Sequence, residues 1–159
     1  MISFEPIGAI YTPFKAVENM PIQAAAAAGC KGRVIIKEKF ASGLKDLDGF
    51  SHAHLIYAFH ECKGYLLEVK PFLDDVTRGI FATRSPKRPC HIGMSIVRIT
   101  GINGVEISVE NVDMLDGTPL LDIKPYVPEF DVIDEAVKTG WYQNKPKNLN
   151  DTRSDGRFK

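Results

Sequence analysis

Asn103-Gly104 constrains this chain more than any other pair of residues. An Asn-Gly dipeptide between two alternating runs closes a tight hairpin, because both residues tolerate the positive φ that such turns require. The flanking runs, Gly93 to Ile102 and Val105 to Asn111, therefore read as antiparallel strands. Further strands follow from composition and alternation at Phe4 to Thr12, Arg33 to Phe40, Ser51 to His60, Tyr65 to Pro71 and Leu120 to Ile123. Helical signals are few. Leu44 to Phe50 suits a short helical turn and Asp131 to Val137 a helix. Pro21 to Gly29 (PIQAAAAAG) fits either a short helix or a small-residue loop. Strands do not alternate with helices, and neither GxGxxG nor GxxxxGK[ST] occurs, so Rossmann and P-loop folds are excluded. The expectation is a mostly β, single-domain fold that closes into a small barrel over residues 1–137. From 138 to 159 the composition turns polar and basic, and reads as an extended or disordered tail.

With 159 residues and 44% hydrophobic content, the chain can build one core without staples. Its three cysteines, Cys30, Cys62 and Cys90, are odd in number and lack zinc spacing, which fits reduced thiols in a cytoplasm. The N-terminus carries no signal-peptide pattern, and no apolar run approaches the ~20 residues needed to span a membrane. Net charge is zero, but it is unevenly distributed. Arg78 to Arg98 holds five Lys/Arg and no acid, Val105 to Val137 nine acids and one lysine, and Lys138 to Lys159 six Lys/Arg and two Asp. Such separation builds a local positive potential on a neutral protein, suited to an anionic partner.

Three stretches hold the candidate chemistry. In FATRSPKRPCHIGMS (Phe81 to Ser95), Arg84, Lys87 and Arg88 alternate with Pro86 and Pro89. The loop is either a solvated basic turn or a stiffened anion site, with Arg giving paired bonds to phosphate or carboxylate. Cys90, between Arg88 and His91, is a nucleophile candidate without an evident acid partner. In SHAHLIYAFHEC (Ser51 to Cys62), alternation puts His52, His54, Ile56, Ala58, His60 and Cys62 on one strand face and Ala53, Leu55, Tyr57 and Phe59 on the other. At ~3.3 Å per residue His52 and His60 stand about 26 Å apart, so no metal is assigned. DMLDGTPLLDIKPY (Asp113 to Tyr126) contains the turn Asp116-Gly117-Thr118-Pro119, and Asp113, Asp116 and Asp122 crowd within ten residues.

IGAIYTPF (Ile7 to Phe14), FSHAHLIYAFH (Phe50 to His60), RGIFATRSPKRPCHIGMS (Arg78 to Ser95) and DMLDGTPLLDIKPYVP (Asp113 to Pro128) together resemble the signature blocks of the TrmO family of TsaA-like barrel proteins. The family methylates N6 of threonylcarbamoyladenosine beside the anticodon, at tRNA position 37. The resemblance implies a non-Rossmann β-barrel, S-adenosylmethionine as cofactor, a homodimer, and tRNA bearing the modified adenosine as partner, in the cytoplasm and without a membrane. Cofactor contacts fall, by matching motif, on Gln23, Ala24 and Ala25, on His60 and Glu61, on Arg84 and Met94, and on Asp116, Gly117, Thr118 and Pro119. Two departures stand out: Ala24-Ala25 where the family has Pro-Gly-like residues, and Cys90-His91 where it has Asn-Pro. Some members carry a further C-terminal domain, and this chain resembles the short type.

The chemistry adds catalytic candidates. The acceptor nitrogen is bonded to a carbonyl, so its lone pair is delocalised, and a base or an anion-stabilising cation assists it. Asp113 and Asp116 are candidate bases; Arg84 and Arg88 are candidate stabilisers, Arg88 also for the carboxylate of the threonyl group. Two other classes share these features: a noncatalytic barrel sensing S-adenosylmethionine or a nucleotide, and a methyltransferase with another acceptor.

Overall fold

In this computed structural model, which describes residues 2–158, six strands form a closed barrel: β1 (Gly8–Tyr11), β2 (Lys31–Ile36), β3 (His52–Ala58), β6 (Ile92–Asn103), β7 (Glu106–Glu110) and β8 (Thr118–Pro125). The order around the barrel is β1-β2-β7-β6-β3-β8, and every neighbouring pair is antiparallel. Closure leaves no open sheet edge among these strands. Two short strands, β4 (Glu68–Val69) and β5 (Arg78–Gly79), pair outside the barrel.

Alternation positions the core. On β3, Ala53, Leu55 and Tyr57 are buried while His52, His54, Ile56 and Ala58 face outward, the partition expected for a half-buried strand. Ile10, Val34, Leu55, Val97, Ile107, Val109 and Leu120 meet inside as one apolar cluster. Glycines let strands come close where a side chain has no room. A Cβ on Gly8 would strike the backbone of Ile35, its neighbour across the β1–β2 ladder.

The β6–β7 hairpin forms, but its turn lies one residue later than the Asn-Gly pair suggests. Asn103 still pairs with Glu106, and Gly104-Val105 makes the turn, with φ +59° at Gly104. Positive φ at the first turn position is what glycine supplies without steric cost. The Tyr65 to Pro71 strand shrinks to Glu68–Val69. The expected helix at Asp131 to Val137 is replaced by one helical turn, α1 (Pro128–Asp131). Pro128 fits the first helical position, and Asp131 accepts the Val127 N–H at 2.8 Å. Beyond it Val132, Ile133 and Val137 are 57–68% exposed, so no packing face sustains a longer helix. The alanine run Pro21 to Gly29 yields only a short 3₁₀ turn, Ala24–Ala26.

The expectation of an extended or disordered tail requires correction. Residues 138–158 fold back on the barrel's loops. The Ser154 hydroxyl donates to Val17 O, and the Met20 amide donates to Ser154 Oγ at 2.9 Å. Arg153 bridges Pro21, Trp141 Nε1 donates to Ala82 O at 2.7 Å, and the Phe158 ring packs edge-on against Phe72 at 5.0 Å. A few isolated anchors in a polar segment suffice to dock it.

Candidate active site

One end of the barrel opens into a cleft of about 1270 Å³. Its floor comes from Tyr57 on β3, Gly93 on β6 and Asp113 just after β7, with the buried Ser95 of β6 bonded to Asp113. Its rim is assembled from the 15–25 segment, the 81–88 loop, the 113–118 turn and the tail.

The floor carries a polar chain inside an apolar barrel. Gly93 lies opposite Tyr57 in the β3–β6 ladder, and a Cβ there would collide with the Tyr57 ring, so glycine leaves that ring its place. Tyr57 Oη lies 3.0 Å from Ser95 Oγ, and Ser95 Oγ donates to Asp113 Oδ1 at 2.6 Å. Serine has one hydroxyl proton. Because that proton goes to Asp113, Tyr57 is the donor to Ser95. Burial pushes the Tyr57 phenol well above its ordinary value, so it stays protonated. Burial also pushes Asp113 up to about 6, against the opposing pull of the Ser95 hydroxyl, the backbone amides of Asp113 and Ala24, and the Arg84 charge.

Asp116, the other candidate base, sits in a different environment. Lys15 forms an ion pair with it and the Thr12 amide donates to it at 2.9 Å, which together hold its carboxyl below the usual range. Behind it Gly117 adopts φ +73°, and Thr118 Oγ1 donates to Leu115 O at 2.7 Å. The Asp116–Pro119 stretch is thus the turn its residues predict, and it also presents Asp116 and Thr118 to the cleft. Pro119 instead pairs with Ala9 in the barrel wall.

The stiff basic loop spends its cations unequally. Lys87 Nζ donates to Lys63 O at 2.9 Å. Arg88 Nη1 donates to Thr83 O at 2.9 Å and Ser85 O at 3.3 Å, so it knits the loop while lining the cleft. Arg84 alone reaches across, donating to Gln23 Oε1 at 3.1 Å. Of the remaining sequence candidates, Gln23, Ala25, His60, Glu61 and half-exposed Met94 line the cleft, whereas Ala24, Gly117 and Pro119 do not. His60 and Glu61 face each other at 3.7 Å. The two β3 histidines lie away from the cleft: His52 Nδ1 is 2.8 Å from Ser51 Oγ, and His54 is 3.2 Å from Asp131. Among the described residues no group of three or more His, Cys, Asp or Glu is disposed to hold a metal. Cys90 is exposed and all three cysteines are free thiols.

Sequence reasoning missed Tyr57, Ser95 and Lys15 as site residues. Ser95 left a readable trace, being polar at an inward position between Gly93 and Val97 of a strand whose inner face is otherwise apolar.

A closed antiparallel barrel with an acid-containing cleft at one end, and no βαβ unit, defines a small non-Rossmann β-barrel domain. More specifically, the chain belongs to the tRNA-methyltransferase O N-terminal domain family, whose description matches residues 9–132. It is 49% identical over 158 residues to a "Probable S-adenosyl-L-methionine-binding protein" of Pyrococcus abyssi, covering 99% of this chain and 85% of that one. It is 32% identical over 136 residues to the human tRNA (adenine(37)-N6)-methyltransferase, covering 80% of this chain but 30% of the human one. A crystal structure of TrmO from Pseudomonas aeruginosa superposes with a TM-score of 0.73 at 34% identity, covering 88% of this chain and 62% of that one. The chain therefore spans less than a third of the human protein and slightly less than two thirds of the solved bacterial structure.

Proposed function

We propose that this chain is an S-adenosylmethionine-dependent tRNA methyltransferase that methylates N6 of threonylcarbamoyladenosine at position 37, in the cytoplasm. Family membership and the names of its relatives support the cofactor, the tRNA and the position. The observation that carries the chemistry is the Tyr57–Ser95–Asp113 chain, which ends in a carboxyl raised to about 6 on the cleft floor. A general base works best with a pKa near the working pH, and a buried carboxylate is a stronger base than an exposed one.

The cleft's donor set fits the cofactor. It offers carboxylates for a sulfonium, an amino group or a ribose, an amide at Gln23, a guanidinium at Arg84, and apolar walls. Gln23, Ala25, His60, Glu61, Arg84, Met94, Asp116 and Thr118 would hold it, while Ala24, Gly117 and Pro119 shape the segments that carry them. When bound, S-adenosylmethionine supplies an electrophilic methyl group on a sulfonium. Asp113 accepts the N6 proton as the methyl is transferred. Ser95, fixed by Tyr57, orients Asp113. Asp116, held ionised by Lys15, serves binding rather than proton transfer. Arg84 keeps donors beyond its bond to Gln23 and suits a carboxylate in bidentate geometry. Arg88 shapes the loop that carries Arg84.

The working unit is a homodimer. Ile96, 39% exposed, continues the cleft-lining Ile92 and Met94 along one face of β6, so an apolar strip suited to a second copy runs up to the cleft itself. Light scattering showing only a 17.7 kDa species at micromolar concentration would remove the dimer.

The base assignment is tested by single-turnover rates against pH. The rate is expected to rise as Asp113 ionises near 6 and then level off, and Asp113→Asn to abolish that step. An Asp113→Asn rate equal to wild type, with the same profile, would return the role to another group.

A further inference from the structure

The folded-back tail does more than dock. It forms the outer wall of the cleft, where Trp141, Tyr142 and Leu149 stand beside Ala82 and Arg84. Trp141 is held from two sides. Its indole N–H donates to Ala82 O at 2.7 Å, two residues before Arg84, and the Arg78 guanidinium lies over its ring at 5.7 Å. Asp74 pairs with Arg78 at 2.7 Å, so Arg78 props the ring more than it offers a free charge. Tyr142 meets Trp141 edge-on, with centroids 5.9 Å apart and planes at 70°, and Lys145 Nζ sits 4.1 Å above the Tyr142 ring. Both rings are half-buried at the cleft. The far end of the tail has its own anchors at Ser154 and Phe158. Two rigidified aromatics, each with a cation over its ring, on the wall of a site next to a guanidinium, match the chemistry that binds unpaired nucleotides. Bases stack on the rings, and cations meet the backbone.

We infer that the Trp141–Tyr142 pair is a stacking platform for an unpaired RNA base adjacent to the one that enters the cleft, the base lying flat on one ring and edge-on to the other because the rings stand at 70°. This rests on the reading of RNA as the methyl acceptor. It gives the tail a substrate role that the barrel alone does not supply. A base-paired helix would not satisfy it, because its base faces are already stacked.

Trp141 is the only tryptophan in the chain, so intrinsic fluorescence reports on the platform directly. The full chain would be titrated with an anticodon stem-loop RNA, with a blunt RNA duplex of equal length, and with S-adenosylmethionine alone. Saturable quenching by the stem-loop only is the expected result. Trp141→Ala also removes the tail's bond to Ala82, so Tyr142→Ala is the informative variant; among the described residues the Tyr142 side chain anchors nothing to the barrel. It should weaken stem-loop binding about tenfold while leaving cofactor binding by calorimetry unchanged. Stem-loop retained on a filter with emission unchanged, and with Tyr142→Ala binding as wild type, overturns the platform and leaves the methyltransferase reading standing. Equal quenching by the duplex, or quenching by the cofactor alone, overturns it too. Failure to retain any RNA while the cofactor still binds contradicts both the platform and the RNA acceptor.

Discussion

In the barrel wall, β3 exchanges ladder bonds with both β6 and β8, and Leu55 and Val97 on facing strands are 1% and 0% exposed. At the cleft rim, by contrast, distant segments meet through a few local polar contacts: Arg84 with Gln23, Trp141 with Ala82, and Ser154 with Val17, Asn19 and Met20. The wall is cooperative, since each strand is fixed by two neighbours and a shared core. The rim is modular, since each contact joins two loops and little else. Stability should therefore reside in the wall and function in the rim, with Asp113 at their junction, buried like the wall and lining the cleft like the rim.

The sharpest way to break that comparison is Asp113→Asn. Methyl transfer should fall about 10²- to 10⁴-fold, as when a general base is lost, while stability at neutral pH rises. The sign follows from linkage. The folded carboxyl keeps its proton up to about 6 and the unfolded one releases it near 3.8, so raising pH through that window destabilises the wild-type fold. The penalty is on the order of 2–3 kcal/mol above pH 6 and vanishes below pH 4. Thermal unfolding of both proteins at pH 4 and 7.5 checks this. A variant less stable than wild type at pH 7.5 would make Asp113 a structural residue.

A wall substitution should behave in the opposite way. Leu120, 0% exposed, changed to Ala should cost about 2–5 kcal/mol in denaturant unfolding. Where the protein remains folded, turnover should be near normal. A rim substitution, Ser154→Ala, removes the hydroxyl between Val17 and Met20 and should cost about 1 kcal/mol. That loss should show as faster hydrogen exchange confined to the 140–158 segment, and exchange spreading into β3 would deny the rim its modularity. The smallest effect belongs to the wall's outer surface. Arg33 and Glu106 pair at 3.3 Å with both side chains well exposed, and Arg33→Ala should shift stability by about half a kcal/mol or less.

The same division explains what the sequence made legible. The wall could be read because alternation is a local signal: HAHLIYA states which residues face inward, and Gly104 marks the hairpin to within one residue. Motif resemblance reached the rim and brought Gln23, Arg84, Asp113 and Asp116 to one cleft. It did not distinguish the two aspartates. Their difference arises from Thr12, Lys15 and Ser95, which only the closed barrel brings alongside them. Nor did it separate Arg84 from Arg88, since the carbonyls that engage Arg88 belong to the fold of its own loop. The tail was misread because composition averages over a segment, whereas docking depends on a few residues, Trp141, Ser154 and Phe158.

The most direct test of the account is nucleoside mass spectrometry of tRNA incubated with the protein and S-adenosylmethionine, with and without the threonylcarbamoyl mark. A single methyl gain on the marked adenosine only, lost in Asp113→Asn, is expected. Methylation of unmarked tRNA to the same extent, or cofactor binding with no methyl gain on either RNA, would contradict it.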